Sequence, residues 1–268
     1  VIGGWFFTAF CAFPSAFILA YLIHWGGIIS ILALVTLAIF ILFRSFRLHR
    51  RRDADLKKKL EIAEMEGDVN GENILKNCTK STYKTLSTVS ILYSNSISGL
   101  IDLKRKSVKR NIKEIKDLNK EVKLLKNNIY QTIVKLQEDE IESGHYYVQV
   151  LDYLRETAHC LTFIADPVFD YINNNHPPLI KDQQNDLQEL SEPVNSFMSS
   201  VIQSIKNADF SNLNELFEDQ QNLLENILKL RKKQLKRIKS RETGTKNSEL
   251  VLNTLTETKN LLLYIVNL

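Results

Sequence analysis

The chain has 268 residues, 44% hydrophobic and 25% charged, with a net charge of +4, nine glycines, five prolines and three cysteines. So few glycines and prolines exclude a low-complexity or collagen-like chain, and Cys11, Cys78 and Cys160 are too few and too scattered for a disulfide framework or a cysteine zinc site. The basic excess is local, and the lysines from Lys104 to Lys126 are interrupted by Glu114, Asp117 and Glu121 with no interleaved aromatics, so no nucleic-acid partner is expected.

No Asp, Glu, Lys or Arg occurs between Val1 and Phe43, and Arg44, Arg47, Arg50, Arg51 and Arg52 follow directly. The run exceeds one span of about 20 residues and contains Gly26-Gly27, a minimal turn, so it predicts two transmembrane helices, roughly Gly4 to Trp25 and Gly27 to Leu48. Trp5, Tyr21 and Trp25 suit the headgroup level, and the five arginines belong at the cytoplasmic membrane interface, which puts both ends of the hairpin and residues 49–268 in the cytoplasm. A signal peptide is a poor alternative, because no basic segment precedes the apolar run and no small-residue cleavage site follows it. Pro14 lies mid-span and leaves a carbonyl one turn earlier for Ser15 or a neighbouring helix to satisfy.

Residues 49–70 read as a basic juxtamembrane helix and linker, in which Asp53 to Glu66 continues as a polar stalk and Gly67-Asp68-Val69-Asn70-Gly71 breaks it. Residues 71–268 then carry successive apolar stripes at three- and four-residue steps. The first comprises Leu75, Cys78, Thr82, Leu86, Val89, Tyr93, Ile97 and Leu100, with Gly99 expected to end or kink its helix. The clearest runs Val108, Ile112, Ile115, Leu118, Val122, Leu125, Ile129, Ile133 and Leu136. A third helix holds Tyr147, Val148, Leu151, Leu154, Leu161 and Val168, is expected to be interrupted near Pro167, and stops at the NNNHPPL turn of 173–179. A fourth runs from Lys181 to Asn207 with a bend at Pro193. A fifth is capped by Ser211 and carries Leu213, Leu216, Leu223, Ile227 and Leu230. A sixth follows Gly244 with Leu252, Leu255 and Leu262. The fold class is therefore all-α: a two-helix transmembrane hairpin (residues 1–48) and an up-and-down bundle of about six long helices, arranged as two three-helix units. Val1 is not a methionine and the chain stops within an apolar run at 261–266, so it reads as a segment of a longer protein.

No phosphate-binding loop, dinucleotide fingerprint, nucleophile elbow or HExxH is present, and enzymatic activity is not expected. Acidic residues do recur four apart, among them Asp152 with Glu156 and Glu215 with Asp219, both within helices. Like charges at that spacing cost a helix a few tenths of a kcal/mol, an expense that a hard metal ion would offset if two such pairs faced each other. Asp152, Glu156, Glu215 and Asp219 are thus the candidate ligands for a divalent or ferric metal, with solvated helix faces as the blander reading. His145-Tyr146-Tyr147, following Gly144, is either a contact site or a helix start with core tyrosines.

Four stretches carry a resemblance: the hairpin opening Gly3-Gly4-Trp5-Phe6, GHYYVQVLDYLRE at 144–156, NNNHPPL at 173–179 and KKQLKRI at 232–238. Together they resemble the C-terminal part of bacterial inorganic phosphate transporters of the PiT family that carry a helical extension similar to the phosphate-uptake regulator PhoU. The resemblance implies a cation-coupled secondary transporter of phosphate, driven by Na+ or H+, in the inner membrane with multiple spans and a regulatory PhoU-like domain. A homo-oligomer is compatible with it. The family's GAND-type substrate motif is absent, so the phosphate site is expected upstream of Val1. Metal binding through E/D-x-x-x-D pairs is also implied: Glu215 with Asp219 fits, and Asp152 with Glu156 departs by ending in Glu.

Overall fold

The computed structural model describes residues 2–64, 71–134, 136, 138 and 141–268, and describes side chains throughout these except at 2–7, 9, 45–46, 48–64, 71 and 131–132. Seven α-helices and no strand occur among the described residues: α1 (Ile2–Glu64), α2 (Gly71–Ile101), α3 (Arg105–Ile133), α4 (Ile141–Asn173), α5 (Lys181–Asn207), α6 (Leu213–Lys239) and α7 (Thr245–Ile265). The chain divides into two compact units, Val1–Glu61 and Ile62–Leu268.

In α1, Phe10–Arg44 is long and apolar enough to cross a membrane and buries none of its side chains. Phe10, Phe13, Trp25, Ile28 and Ile29 are each more than 70% exposed, an arrangement that water would not tolerate but hydrocarbon would. Gly27 departs from helical geometry (φ 52°, ψ −137°), so helical stretches 2–26 and 28–64 meet there. Both glycines are required. That backbone is nearly closed to residues with a Cβ, and a Cβ on Gly26 would lie 1.8 Å from Ser30 Oγ. Helix continues through Pro14. The Ser15 hydroxyl donates to the Cys11 carbonyl (2.7 Å), not to that of Phe10, which is the one Pro14 cannot serve. The expected stalk is helical as far as Glu64, and the breaker at 67–70 lies outside the described residues.

The second unit consists of α2–α7. Helices α2, α3 and α4 pack on one another, as do α5, α6 and α7, and the two trios join through α2 on α5 and α4 on α7. The cause is the stripes: Leu86, Val89, Val108, Val122, Leu151, Leu154, Leu161, Ile164, Val194 and Leu261 are at most 1% exposed. Several expected positions shift. Leu75 is exposed and Ile74 takes its place in the core; Asn111 rather than Ile112 is fully buried; Leu213 is exposed; and Leu136 lies past the end of α3.

Helix boundaries differ from expectation for local reasons. Helix α2 continues past Gly99 to Ile101, and Gly99 serves instead a close approach, since a Cβ there would lie 2.5 Å from Val108 Cγ2 of α3. Helix α4 begins at Ile141, so Gly144 lies within it, against Ile133 and Leu136. It also runs uninterrupted through Pro167. That proline has no N–H for the Phe163 carbonyl, and Asn253 Nδ2 of α7 donates to it instead (2.8 Å). Helix α5 likewise contains Pro193. The N-cap of α6 is Asn212, not Ser211, and its Oδ1 accepts from Ser204 Oγ (2.9 Å) rather than capping the helix.

Candidate functional site

The four carboxylates proposed from sequence do not converge. Asp152 on α4 is half-exposed and ion-paired with Lys126 of α3, which already offsets its charge. Glu156 lies 4.0 Å from Arg155 Nε at the α4 surface. Glu215 and Asp219 are exposed on the first turns of α6, which packs on α5 and α7, whereas α4 packs on α2, α3 and α7. Among the described residues no group of three or more His, Cys, Asp or Glu is placed to hold a metal. A hard cation needs several converging oxygens, so as placed these residues do not fit one.

Arg44 and Arg47 are exposed at the end of the apolar segment, with the Arg47 guanidinium 5.9 Å from the centre of the Phe43 ring. That is where a side chain can rest its stem on hydrocarbon and its charge in the headgroups. The side chains of Arg50, Arg51 and Arg52 lie outside the described residues.

The densest polar chemistry lies between α5, α6 and α7. Arg237 and Asp186, 4% and 5% exposed, form an ion pair with Nη1 2.6 Å from Oδ2. Lys233 Nζ reaches the other carboxylate oxygen of Asp186 (2.7 Å), and Arg237 Nη2 lies 3.9 Å from Asp182. Beside them Gln183 Nε2 donates to Gln234 Oε1 (3.1 Å), and Gln234 Nε2 donates to Ser248 Oγ (3.1 Å). Asp186, held by two cations inside the bundle, fixes the pairing of α5 with α6; it has no free face for acid or base work. Sequence reasoning missed this cluster because it followed apolar residues alone. Gln220, Gln234 and Arg237 continue the stripe of Leu216, Leu223 and Ile227 at helical spacing, and polar side chains at core positions were the available signal.

Three of the four stretches that carried the resemblance are explained largely by architecture, and the side chains of Gly3-Gly4-Trp5-Phe6 lie outside the described residues. In GHYYVQVLDYLRE, Gly144, Tyr147, Leu151 and Leu154 are buried, while His145 and Tyr146 are exposed with their rings 6.1 Å apart. In NNNHPPL, the Tyr171 hydroxyl reaches the Pro177 carbonyl and Asn247 Oδ1, and Asn247 Nδ2 donates to the Pro178 carbonyl (3.1 Å), which ties the turn to α7. In KKQLKRI, Gln234 and Arg237 are buried in the cluster and the exposed Lys233 reaches Asp186 from its edge. Burial pushes the Cys78 thiol up to about 11, and burial with the nearby Glu257 and Glu156 charges pushes Cys160 to about 12, so both remain protonated and inert at neutral pH.

No family model, curated protein or solved structure matches the chain.

Proposed function

We propose that the chain is the membrane hairpin and cytoplasmic regulatory bundle of a cation-coupled inorganic phosphate transporter of the PiT type. The transporter resides in the inner membrane as a multi-pass protein, with residues 49–268 in the cytoplasm and a PhoU-like domain formed by α2–α7. One observation carries the reading: an outward-facing apolar segment, interrupted at a glycine pair, precedes a helical bundle that contains the motifs of the resemblance. Phe10–Arg44 comprises 35 residues. As one straight helix it would extend about 52 Å, against about 30 Å of hydrocarbon, whereas two spans meeting at Gly27 match the thickness.

The test is uptake of labelled phosphate into liposomes reconstituted with the protein that carries this chain, under imposed Na+ or proton gradients. Gradient-dependent uptake is expected. Vesicles that take up no phosphate under either gradient sink the transporter reading.

A second reading, a membrane-anchored helical scaffold or signalling protein whose bundle binds metal or a partner, is favoured by an uncovered apolar stripe on α6. Uptake separates the two, since an anchor without a transport core moves nothing.

A further inference from the structure

Helix α6 has two apolar faces, and its own bundle covers only one. Leu216, Leu223 and Ile227 are buried against α5 and α7. A quarter-turn away, Phe217, Leu224, Leu228, Leu235 and Ile238 follow one another at steps of seven, four, seven and three residues, the a/d spacing of a coiled-coil seam. Phe217, Leu228, Leu235 and Ile238 are 40–56% exposed, and Leu224 is half-buried. The two remaining seam positions hold Gln221, exposed, and Arg231, whose guanidinium is drawn aside by the Thr256 hydroxyl of α7. Single exposed leucines need no explanation, but five apolar residues at seven seam positions over some six turns mark a surface that another element covers.

The charges beside the stripe select the occupant. On its solvent flank, one residue per heptad, stand Glu218, Glu225, Lys232 and Lys239, all exposed. The acidic pair lies in the N-terminal half of the helix and the basic pair in the C-terminal half. A parallel copy would set Glu against Glu and Lys against Lys. An antiparallel copy sets Glu225 against Lys232 and Glu218 against Lys239, twice over, by the self-complementarity that a two-fold axis demands. In the same register Leu224 meets Leu235 of the second copy and Leu228 meets the stem of Arg231, with the axis passing near residues 228–230. Glu225 lies in an exposed 3.9 Å contact with Lys229, a weak pair that an intermolecular partner can replace.

We infer that the outer stripe of α6 is a homodimer interface, on which two copies of this chain pair α6 antiparallel about a two-fold axis near Leu228. This does not rest on the transporter reading and survives its failure.

The full chain in detergent, with Cys11 replaced by Ser, provides the test. Leu228→Cys places two thiols beside the axis, and mild oxidation is expected to give a disulfide-linked dimer. Phe217→Cys places them about 35 Å apart, from the helical rise, and is expected to give none. Glu218→Lys with Glu225→Lys in one chain, and Lys232→Glu with Lys239→Glu in another, each leave the buried face untouched and are expected to weaken self-association at least tenfold. Mixing the two variants is expected to restore dimers, as every flanking pair is then Lys against Glu. A chain that stays monomeric by mass overturns the proposal. So does a dimer that cross-links through Phe217→Cys but not Leu228→Cys, or one indifferent to the charge changes.

Discussion

The two three-helix units of the bundle hold themselves together differently. In α2–α4 the buried polar groups are mostly short hydroxyls bonded to their own helix: Thr82 to the Cys78 carbonyl, Ser96 to Leu92 and Thr157 to Tyr153. Such bonds satisfy the hydroxyl without saying which helix lies opposite, so apolar shape decides most of the packing, with neutral amide ties from Asn111 of α3 to the Leu92 carbonyl and Ser96 Oγ of α2 and from Asn119 to the Ala158 carbonyl and Thr162 Oγ of α4. In α5–α7 the buried polar groups reach across helices, through Asp186–Arg237, Gln183–Gln234 and Gln234–Ser248. A partner one turn away would leave a buried charge unmatched, so what sets the second trio apart is a buried ion pair that pins its register, while the first is fixed chiefly by volume.

If this contrast is right, Arg237→Ala should be one of the two largest single effects, matched only by a large cavity in the first trio. Removing the guanidinium leaves Asp186 buried with only Lys233 beside it, and a loss of about 3 kcal/mol is expected, at the lower end for broken buried pairs because Lys233 remains. Replacing both partners, Asp186→Leu with Arg237→Met, should recover most of it, to within about 1 kcal/mol of the parent. Denaturant unfolding of the full chain followed by circular dichroism reads both. A double variant no better than the single one would mean that the pair acts through something other than charge matching.

Volume should rule the first trio. Leu151 is fully buried on α4, and Leu151→Ala is expected to cost about 3 kcal/mol through lost contact and the cavity left behind. Gly99→Ala probes the opposite sign of the same property. The new methyl would sit 2.5 Å from Val108 Cγ2, so the buried Val108 side chain must turn or the two helices part, at a cost of about 1–2 kcal/mol. Val108→Ala has its own cavity cost, but combined with Gly99→Ala it should cost less than the sum of the two, a coupling that a double-mutant cycle measures directly.

The same contrast explains what was legible in the sequence. Helix number and the apolar faces of α2–α4 could be read because shape-determined packing leaves a plain periodic stripe, as in Val108, Ile115, Leu118, Val122 and Leu125. The second trio was read only in part, since the residues that fix its register are Gln, Asp and Arg, which a search for apolar period passes over. Pro167 was misjudged as an interruption because a distant partner satisfies the carbonyl it leaves, and Gly99 as a helix end because its role is a close approach to α3. Nothing near Pro167 in sequence announces Asn253, and nothing near Gly99 announces Val108. The acidic pairs failed as a site because spacing on one helix fixes a face but not its neighbour, and Asp152 faces Lys126 of α3. The apolar run before Arg44 could be read as long and apolar enough to cross a membrane without any tertiary partner, because that property rests on composition alone.

The smallest expected effect lies where the two trios meet. Asn253 of α7 donates to the Phe163 carbonyl that Pro167 leaves without a helical partner. The contact is solvent-accessible, so water can replace part of it, and Asn253→Ala is expected to cost only about 0.5–1 kcal/mol. The informative measurement is the same substitution in a Pro167→Ala chain. Alanine at 167 restores an N–H four residues after Phe163, the carbonyl regains an intrahelical donor, and Asn253 becomes redundant, so its removal should then cost close to nothing. An undiminished cost would show that Asn253 holds α7 against α4 by packing, and that the inter-trio contact belongs with the shape-determined half of the molecule. A vanished cost would place it with the half in which a polar group on one helix completes another.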